Sequence, residues 1–512
     1  MSGLFEKKVG RDERREARVK REMREKRKTK VTAIIVVLVL GLLFVGSLFL
    51  NSGFIRQTLP AVTIDGHGFS AVEFDYFYRT AFFEYQEMLN SFGGGDLEGM
   101  LPSFEMPHSS QIYNSETGET WADFFRDLTM RNLSGLVAAY NDARRNGFVL
   151  PDDRREMINQ EIMSHRQMFE DSGDYPSFEA FLRAMYETSM NERTLRGILE
   201  FVHTSSAFHG HMYDSFTYTG EQLAEFYNEG RDMYDVFTYR ILPVYTEEDD
   251  LMDFDDDAAQ EAALGEARNR ATAIAAGIVE EEDFINAARE LDPDEFESYN
   301  STLREQSGEA LDFSYESWLK DNSRAYGDIE TFDFANGVNI IFYVSRNDNS
   351  YSMVEMRQLL VLREELSQED FLDDIEAYDE AVAEAGRQAR QRAEEVLELF
   401  VVGGATEERM IELMEEHSDD WTEGGLYTDV SRGMMVSEIN DWLFDPVRQV
   451  GDFELIHTEA YGYHLVYFSG FGGPYNEFLA DGRMRENDYQ QWTDSLGEPE
   501  AVRRWAFFLT SH

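Results

Sequence analysis

The stretch "DWLFDPVRQVGDFE", Asp441–Glu454, decides the organisation of this chain, because "SWLKDNSRAYGDIE", Ser317–Glu330, can be laid over it without a gap. Trp, Leu, Asp, Arg, Gly, Asp and Glu coincide. The likeness continues where "GVNIIFYV" at Gly337 parallels "GYHLVYF" at Gly462 after a one-residue shift, and where "YRILPV" at Tyr239 parallels "RQLLVL" at Arg357. Self-similarity at this spacing signals a duplicated structural unit. Each copy reads as a strand, helices, a short strand, a helix and two closing strands around a glycine turn, which is an α+β domain. The copies are placed at 232–348 and 352–472. Their first helices are the acidic runs "DDAAQEAALGEARNRATAIAAG" and "AEAGRQARQRAEEVLELFVV", whose charges read as solvated faces.

Upstream, residues 60–231 read as an all-helical module. It opens on "TIDGHGFSAVEFDYFY": a brief strand, a glycine turn, and a helix with Ser70 and Glu73 at capping-box spacing. Phe74, Phe77, Tyr78, Ala81, Phe82 and Tyr85 form its apolar stripe. Between Phe92 and Thr120 there is no periodicity, which predicts an irregular loop. From Trp121 to His211, apolar residues recur every three or four positions and predict further helices. Thr219 and Gln222 have the spacing of another capping box. The tail, 478–512, holds "NDYQQWTDSL" and "PEAVRRWAFFLT", read as apolar-faced helices that complete the helical module.

Charge narrows the function classes. Formal net charge is -54, yet 13 of the 46 Lys and Arg and only 6 of the 100 Asp and Glu precede Val31. The rest of the chain is therefore more acidic still, a surface that repels nucleic acid and favours cationic or basic unfolded ligands. No nucleic-acid partner is expected. Without cysteine there is no disulfide, thiolate metal site or cysteine nucleophile. Residues 31–50, "VTAIIVVLVLGLLFVGSLFL", carry no charge and are long enough for a transmembrane helix. The Lys- and Arg-rich lead, 1–30, places the N-terminus in the cytoplasm and the bulk outside a plasma membrane. A cleaved signal peptide is the rival reading. The long charged lead and the lack of a small-x-small cleavage site favour an uncleaved, single-pass anchor.

The run "HSDDWTEGGLYTDVSRGMMVSEINDWLF", 417–444, followed by "YGYHLVYF", resembles the parvulin, or PpiC-type, peptidyl-prolyl isomerase domain. That family has a carboxylate or cysteine shortly before a Gly-Gly pair, a Gly-Gln-Met-Val-like turn opening a helix, and a closing Gly-Tyr-His strand. With a helical module before two such copies, the exterior is similar to the SurA and PrsA class of extracytoplasmic foldases. The resemblance implies an electrostatic role for Asp420 beside the twisting carbonyl, and for His464 the orienting of the pocket by hydrogen bonds. A hydrogen-bonded core histidine with no further task is the competing account of His464. Gln358 stands where the family has its first-strand histidine. Met435 and Ile439, one helical turn apart, would line a proline pocket supported by Phe444, with Met434, Tyr427 and Tyr463 around it. Gly424 and Gly425 would permit a tight approach to the sheet.

Rotation about an X-Pro bond needs neither nucleophile nor cofactor, because its barrier of about 18–20 kcal/mol comes from amide resonance, which desolvation and twisting weaken. No cofactor and no metal are expected. His203, His209 and His211 lack a partner motif and read as solvated or capping groups. The acidic run "EEDDLMDFDDD" lacks the glycine and spaced ligands of a calcium loop. In the first copy the histidine positions read Arg240 and Asn339, so that copy is expected to be inactive. Two function classes follow: an isomerase acting on unfolded or newly exported chains with X-Pro bonds, or a holdase that binds such chains without catalysis. A scaffold for envelope proteins is a third.

Overall fold

The computed structural model describes residues 53–91, 106–186, 189–246, 257–298, 300–371, 374–420 and 422–510, together with 102 and ten positions between 28 and 41. The chain divides into two compact units, Met1–Phe216 with Asp488–His512, and Thr217–Asn487.

In the first unit, α1 (Gly53–Thr58) precedes a hairpin of β1 (Pro60–Ile64) and β2 (His67–Ser70). The two turn residues, Asp65 and Gly66, both have positive φ, as a two-residue hairpin loop matched to strand twist requires. Ser70 then caps α2 (Ala71–Ser91). Its backbone N–H donates to Glu73 Oε2 at 2.7 Å while its Oγ accepts from the Glu73 N–H at 3.3 Å, the reciprocal pair predicted from spacing. Phe74, Phe77, Tyr78, Ala81 and Phe82 are all buried, as the stripe requires. A short hairpin, β3 (Ile112–Asn114) and β4 (Glu119–Thr120), follows and turns through Gly118 at φ 75°. Four helices build the main core: α3 (Trp121–Arg145), α4 (Asp152–Ser172), α5 (Phe178–Met185) and α6 (Glu192–Ser215). Leu133, Val137, Ile158, Ile162, Leu182 and Leu199 meet in it.

Three expectations for this unit are overturned, the first being the irregular loop before Trp121, part of which forms the β3–β4 hairpin. The module is not all-helical, because the C-terminal strand Ala501–Arg503 adds to β1 and gives a three-stranded sheet. The same strand and a 3-10 turn, Trp505–Leu509, replace the helix expected for "PEAVRRWAFFLT". β1 offers an open edge, and Val62, Thr63 and Ile64 pair with Arg503, Val502 and Ala501. Backbone donors and acceptors along such an edge are satisfied by pairing, which outweighs the weak helix preference of a short segment.

The second unit opens with α7 (Gly220–Glu229), capped reciprocally by Thr219 and Gln222, and α8 (Arg231–Tyr234). The unit therefore begins at Thr217, earlier than the boundary at 232 read from sequence, because Leu223 and Tyr227 pack on Ala480. The first copy runs β5 (Val236–Tyr245), α9 (Asp257–Ala275), α10 (Glu281–Leu291), β6 (Leu303–Ser307), α11 (Glu316–Leu319), β7 (Ile329–Phe334) and β8 (Gly337–Asn347). The second runs β9 (Ser352–Leu362), α12 (Ile375–Val402), α13 (Glu407–His417), β10 (Leu426–Val430), α14 (Ser437–Leu443), β11 (Phe453–Thr458) and β12 (Gly462–Pro474). Their antiparallel sheets have the same order, β6-β5-β8-β7 and β10-β9-β12-β11. The duplication is thus topological as well as sequential. In the second copy α12 and α13 cover one face, burying Leu359, Val361, Leu465 and Phe400, while α14 covers the other with Met356, Val466, Phe468 and Trp442.

Four of the seven coincident residues have one physical explanation. Arg324 lies 4.9 Å over the Trp318 ring and Arg448 3.9 Å over the Trp442 ring. Each arginine also reaches an aspartate four residues on, Asp328 at 3.3 Å and Asp452 at 3.5 Å. The glycines before those aspartates, Gly327 and Gly451, have φ of 90° and 93°, and each donates its N–H to the adjoining long strand, at Tyr343 O and Phe468 O. One clamp therefore recurs, tying the short helix to the closing hairpin in both copies.

Register corrects the alignment of the first strands. Tyr245 pairs with Gly337 as Leu362 pairs with Gly462, so Ile241 stands where Gln358 stands and Asn339 where His464 stands. Arg240, assigned from sequence to the Gln358 position, points to the other face. There it is fully buried, donating to Glu281 Oε1 at 2.7 Å and Thr302 Oγ1 at 2.9 Å. A one-residue slip in a strand reverses every side chain.

Most of the stretch expected to cross a membrane, 31–50, lies outside the described residues; the positions described, 34–41, are helical and exposed. Among the described residues no helix is long and apolar enough to cross a membrane. The acidic run at 247–256 also lies outside them. If the clamp turns are equivalent, Gly327→Ala and Gly451→Ala will each cost about 1 kcal/mol or slightly more, by matching amounts. Urea unfolding followed by tryptophan fluorescence checks this.

Candidate active site

The α14 face of the second sheet carries a continuous string of polar side chains. Its first member is placed by a segment pinned along the edge of β9. The Asp419 N–H donates to Leu360 O at 2.8 Å, the Leu360 N–H to Ser418 Oγ at 3.2 Å, and the Leu362 N–H to Asp419 Oδ2 at 2.9 Å. Arg392 of α12 pairs with Asp419. Asp420, next in line, is thereby delivered to the sheet at the level of Gln358. The glycine pair follows. A Cβ on Gly425 would lie 2.5 Å from Gln358 O and 1.7 Å from Met414 Cε, and Gly425 has φ 53°, so only glycine fits. Arg357 Nη1 donates to Gly424 O at 2.6 Å and fixes the loop.

Hydrogen-bond chemistry sets the direction of the string. A carboxylate only accepts. Gln358 Nε2 therefore donates to Asp420 Oδ2 at 3.2 Å, which turns Gln358 Oε1 toward His464 Nδ1 at 3.1 Å. That oxygen needs a donor, so the imidazole proton sits on Nδ1, leaving Nε2 to accept from the Thr458 hydroxyl at 2.9 Å. Tyr427 donates to Asp420 Oδ2 at 2.7 Å, and the Thr422 N–H to Asp420 Oδ1 at 3.0 Å.

Electrostatics agrees with this assignment. Burial lowers the His464 pKa to about 4, against the pull of Asp420 and Glu438, so the ring is neutral at physiological pH. Burial alone would raise the Asp420 carboxyl, but bonds from Thr422, Tyr427 and Gln358 outweigh it and hold Asp420 below the ordinary carboxylate range. Gln358, Thr458 and His464 are buried, whereas Asp420 and Tyr427 are half-buried. The string thus begins in the core and ends in an ionised carboxylate that solvent reaches.

Asp420, His464, Gln358 and Tyr427, singled out from sequence, are brought together. Met435 and Phe444 lie half-buried around the apolar cluster on the same face, and Met434 is 57% exposed on the turn before α14. Two assignments fail. Ile439 is 1% exposed and packs inside that cluster, out of reach of any ligand on this face. Tyr463 belongs to the opposite face of the sheet, against the α12–α13 core and the His457 ring, because it neighbours His464 in an alternating strand. Thr458 and Thr422 were missed. Thr458 was findable: His464 pairs with Ile456, and a residue two positions on shares its face.

The histidines elsewhere take local partners. His209 meets the Tyr489 hydroxyl at 2.7 Å, and His203 lies 3.9 Å from Glu161. Among the described residues no group of three or more His, Asp or Glu is placed to hold a metal ion. In comparisons with known proteins, no family model matches this chain and no curated protein matches it.

His464 makes stability depend on pH. Its folded pKa, about 4, lies below the ordinary 6.5, so the unfolded chain takes up the proton first. The contribution is complete above pH 6.5 and is lost as pH falls from 6.5 to 4, by roughly 3 kcal/mol at most. His464→Asn will flatten that part of the pH–stability curve, measured by urea unfolding at several pH values.

Proposed function

We propose that the second copy is a peptidyl-prolyl cis-trans isomerase of the parvulin type, acting on unfolded or newly exported chains. One observation carries the proposal: the ionised Asp420, held by Gln358, Tyr427 and Thr422, lies on the face of the sheet that also bears the half-buried apolar groups Met435 and Phe444. The planar amide is charge-separated, with negative charge on oxygen. A fixed carboxylate close to that oxygen disfavours the planar form relative to the twisted one, where the separation is lost. Apolar contact with the prolyl ring removes water and adds to the effect. A drop of about 4 kcal/mol in the barrier corresponds to roughly a thousandfold acceleration.

The first copy serves as a spacer or peptide-binding surface on this reading, since Ile241 and Asn339 occupy the places of Gln358 and His464. The apolar stretch 31–50 and its basic lead support a plasma-membrane anchor with the two units outside the cell. A holdase is the second reading. It is favoured by the full burial of Ile439, which leaves the ring-binding surface to Met435, Phe444 and the exposed Met434.

A protease-coupled assay on a proline-containing peptide separates the two. Isomerase activity in the full chain, reduced at least tenfold by Asp420→Ala and by Met435→Ala, supports the enzyme. Suppressed aggregation of a denatured client without any rotation rate above background supports the holdase and overturns the enzyme.

A further inference from the structure

Resting on that reading, we infer that Tyr427 is a positioning residue for Asp420 and not part of the substrate-binding surface: its hydroxyl and the Gln358 amide together orient the carboxylate. Tyr427 lies on β10 opposite Met356 of β9, with its ring half-buried against the apolar cluster of the α14 face. That packing fixes the ring plane and aims the hydroxyl inward. The phenol has a single proton, and it goes to Asp420 Oδ2 at 2.7 Å. Thr422 Oγ1, 3.1 Å from the same phenol oxygen, must therefore be the donor in that contact. The order is Thr422 to Tyr427 to Asp420, and it meets the order Thr458 to His464 to Gln358 coming from the core.

Two converging lines of donors thus end on one carboxylate oxygen. Oδ2 takes both Gln358 and Tyr427, while Oδ1 takes the Thr422 N–H. The Thr422 hydroxyl adds to these bonds in stabilising the ionised carboxyl. Bonds of a hydroxyl to a carboxylate are among the stronger neutral-to-charged contacts, and the half-buried setting strengthens them. The titratable and charged groups around the string include His457 of β11 and Glu438 of α14, which act on His464, Tyr461, whose ring meets that of His464, Arg357 of β9, paired with Glu407, and Asp419, paired with Arg392 of α12. None of them lies between Tyr427 and Asp420. Burial raises the Tyr427 hydroxyl, so it remains a donor through the neutral range.

The test uses the full chain and reads Asp420 separately from catalysis. Carbodiimide labelling at a series of pH values, followed by peptide mass spectrometry, reports where the Asp420 carboxyl becomes protonated. Tyr427→Phe keeps the ring and removes the donor. We expect Asp420 in Tyr427→Phe to label at higher pH than in the parent chain. We also expect kcat/KM for a proline peptide to fall about tenfold, with the loss in kcat, and its acid limb to shift upward. An unchanged labelling curve in Tyr427→Phe overturns the assignment. A shifted curve in a chain without isomerase activity upholds the hydrogen-bond assignment and overturns the isomerase reading alone.

Discussion

Both copies in the second unit depend on one clamp, a tryptophan covered by an arginine that also reaches an aspartate on the closing hairpin. The stack sets the short helix, α11 or α14, against one face of its sheet, and the left-handed glycine before the aspartate lets the chain enter the hairpin. Everything on the α14 face follows from that placement. Ile439, Trp442 and Leu443 close the apolar cluster, and the cluster seats the Tyr427 ring. The same clamp without the polar string, in the first copy, indicates that it maintains the fold and leaves the chemistry to other residues.

The site is a second consequence of sheet geometry. Alternation along β9 and β12 sends Gln358 and His464 to one face and Leu359 and Leu465 to the other, where α12 and α13 pack. Buried polar groups on an otherwise apolar face must be bonded to one another, and here the bonds run in one direction to a carboxylate. Gln358 suits that scheme, because an amide accepts at one end and donates at the other without titrating. The neutral His464 completes it. A charged imidazole would donate at both nitrogens and reverse the direction of its bond with Thr458.

Much of this was legible in the sequence. The repeat gave the order of elements in both copies, the capping pairs Ser70–Glu73 and Thr219–Gln222 marked helix starts, and the glycine pair marked the loop carrying Asp420. What escaped has physical causes. The alignment of Arg240 with Gln358 erred by one residue, and in a strand one residue is the whole difference between two faces. The C-terminal strand pairs with β1 across more than four hundred residues of chain, and nothing local in Ala501–Arg503 announces such a partner. Ile439 and Tyr463 are apolar or aromatic neighbours of the residues of the polar string, and spacing alone does not separate the wall of a candidate site from the core beneath it. Thr458 is a common residue whose role arises only from register, and Thr422 one whose role arises only from the path of its loop.

The central claim is that the Asp420 face of the second copy accelerates rotation about an X-Pro bond. Fluorine exchange spectroscopy on a fluoroproline peptide, with a catalytic amount of the full chain, observes that rotation without a coupling protease. The account predicts exchange peaks between the cis and trans signals that appear with the chain and vanish with Asp420→Ala. Cis and trans signals that never exchange, even when the peptide is bound, would contradict it.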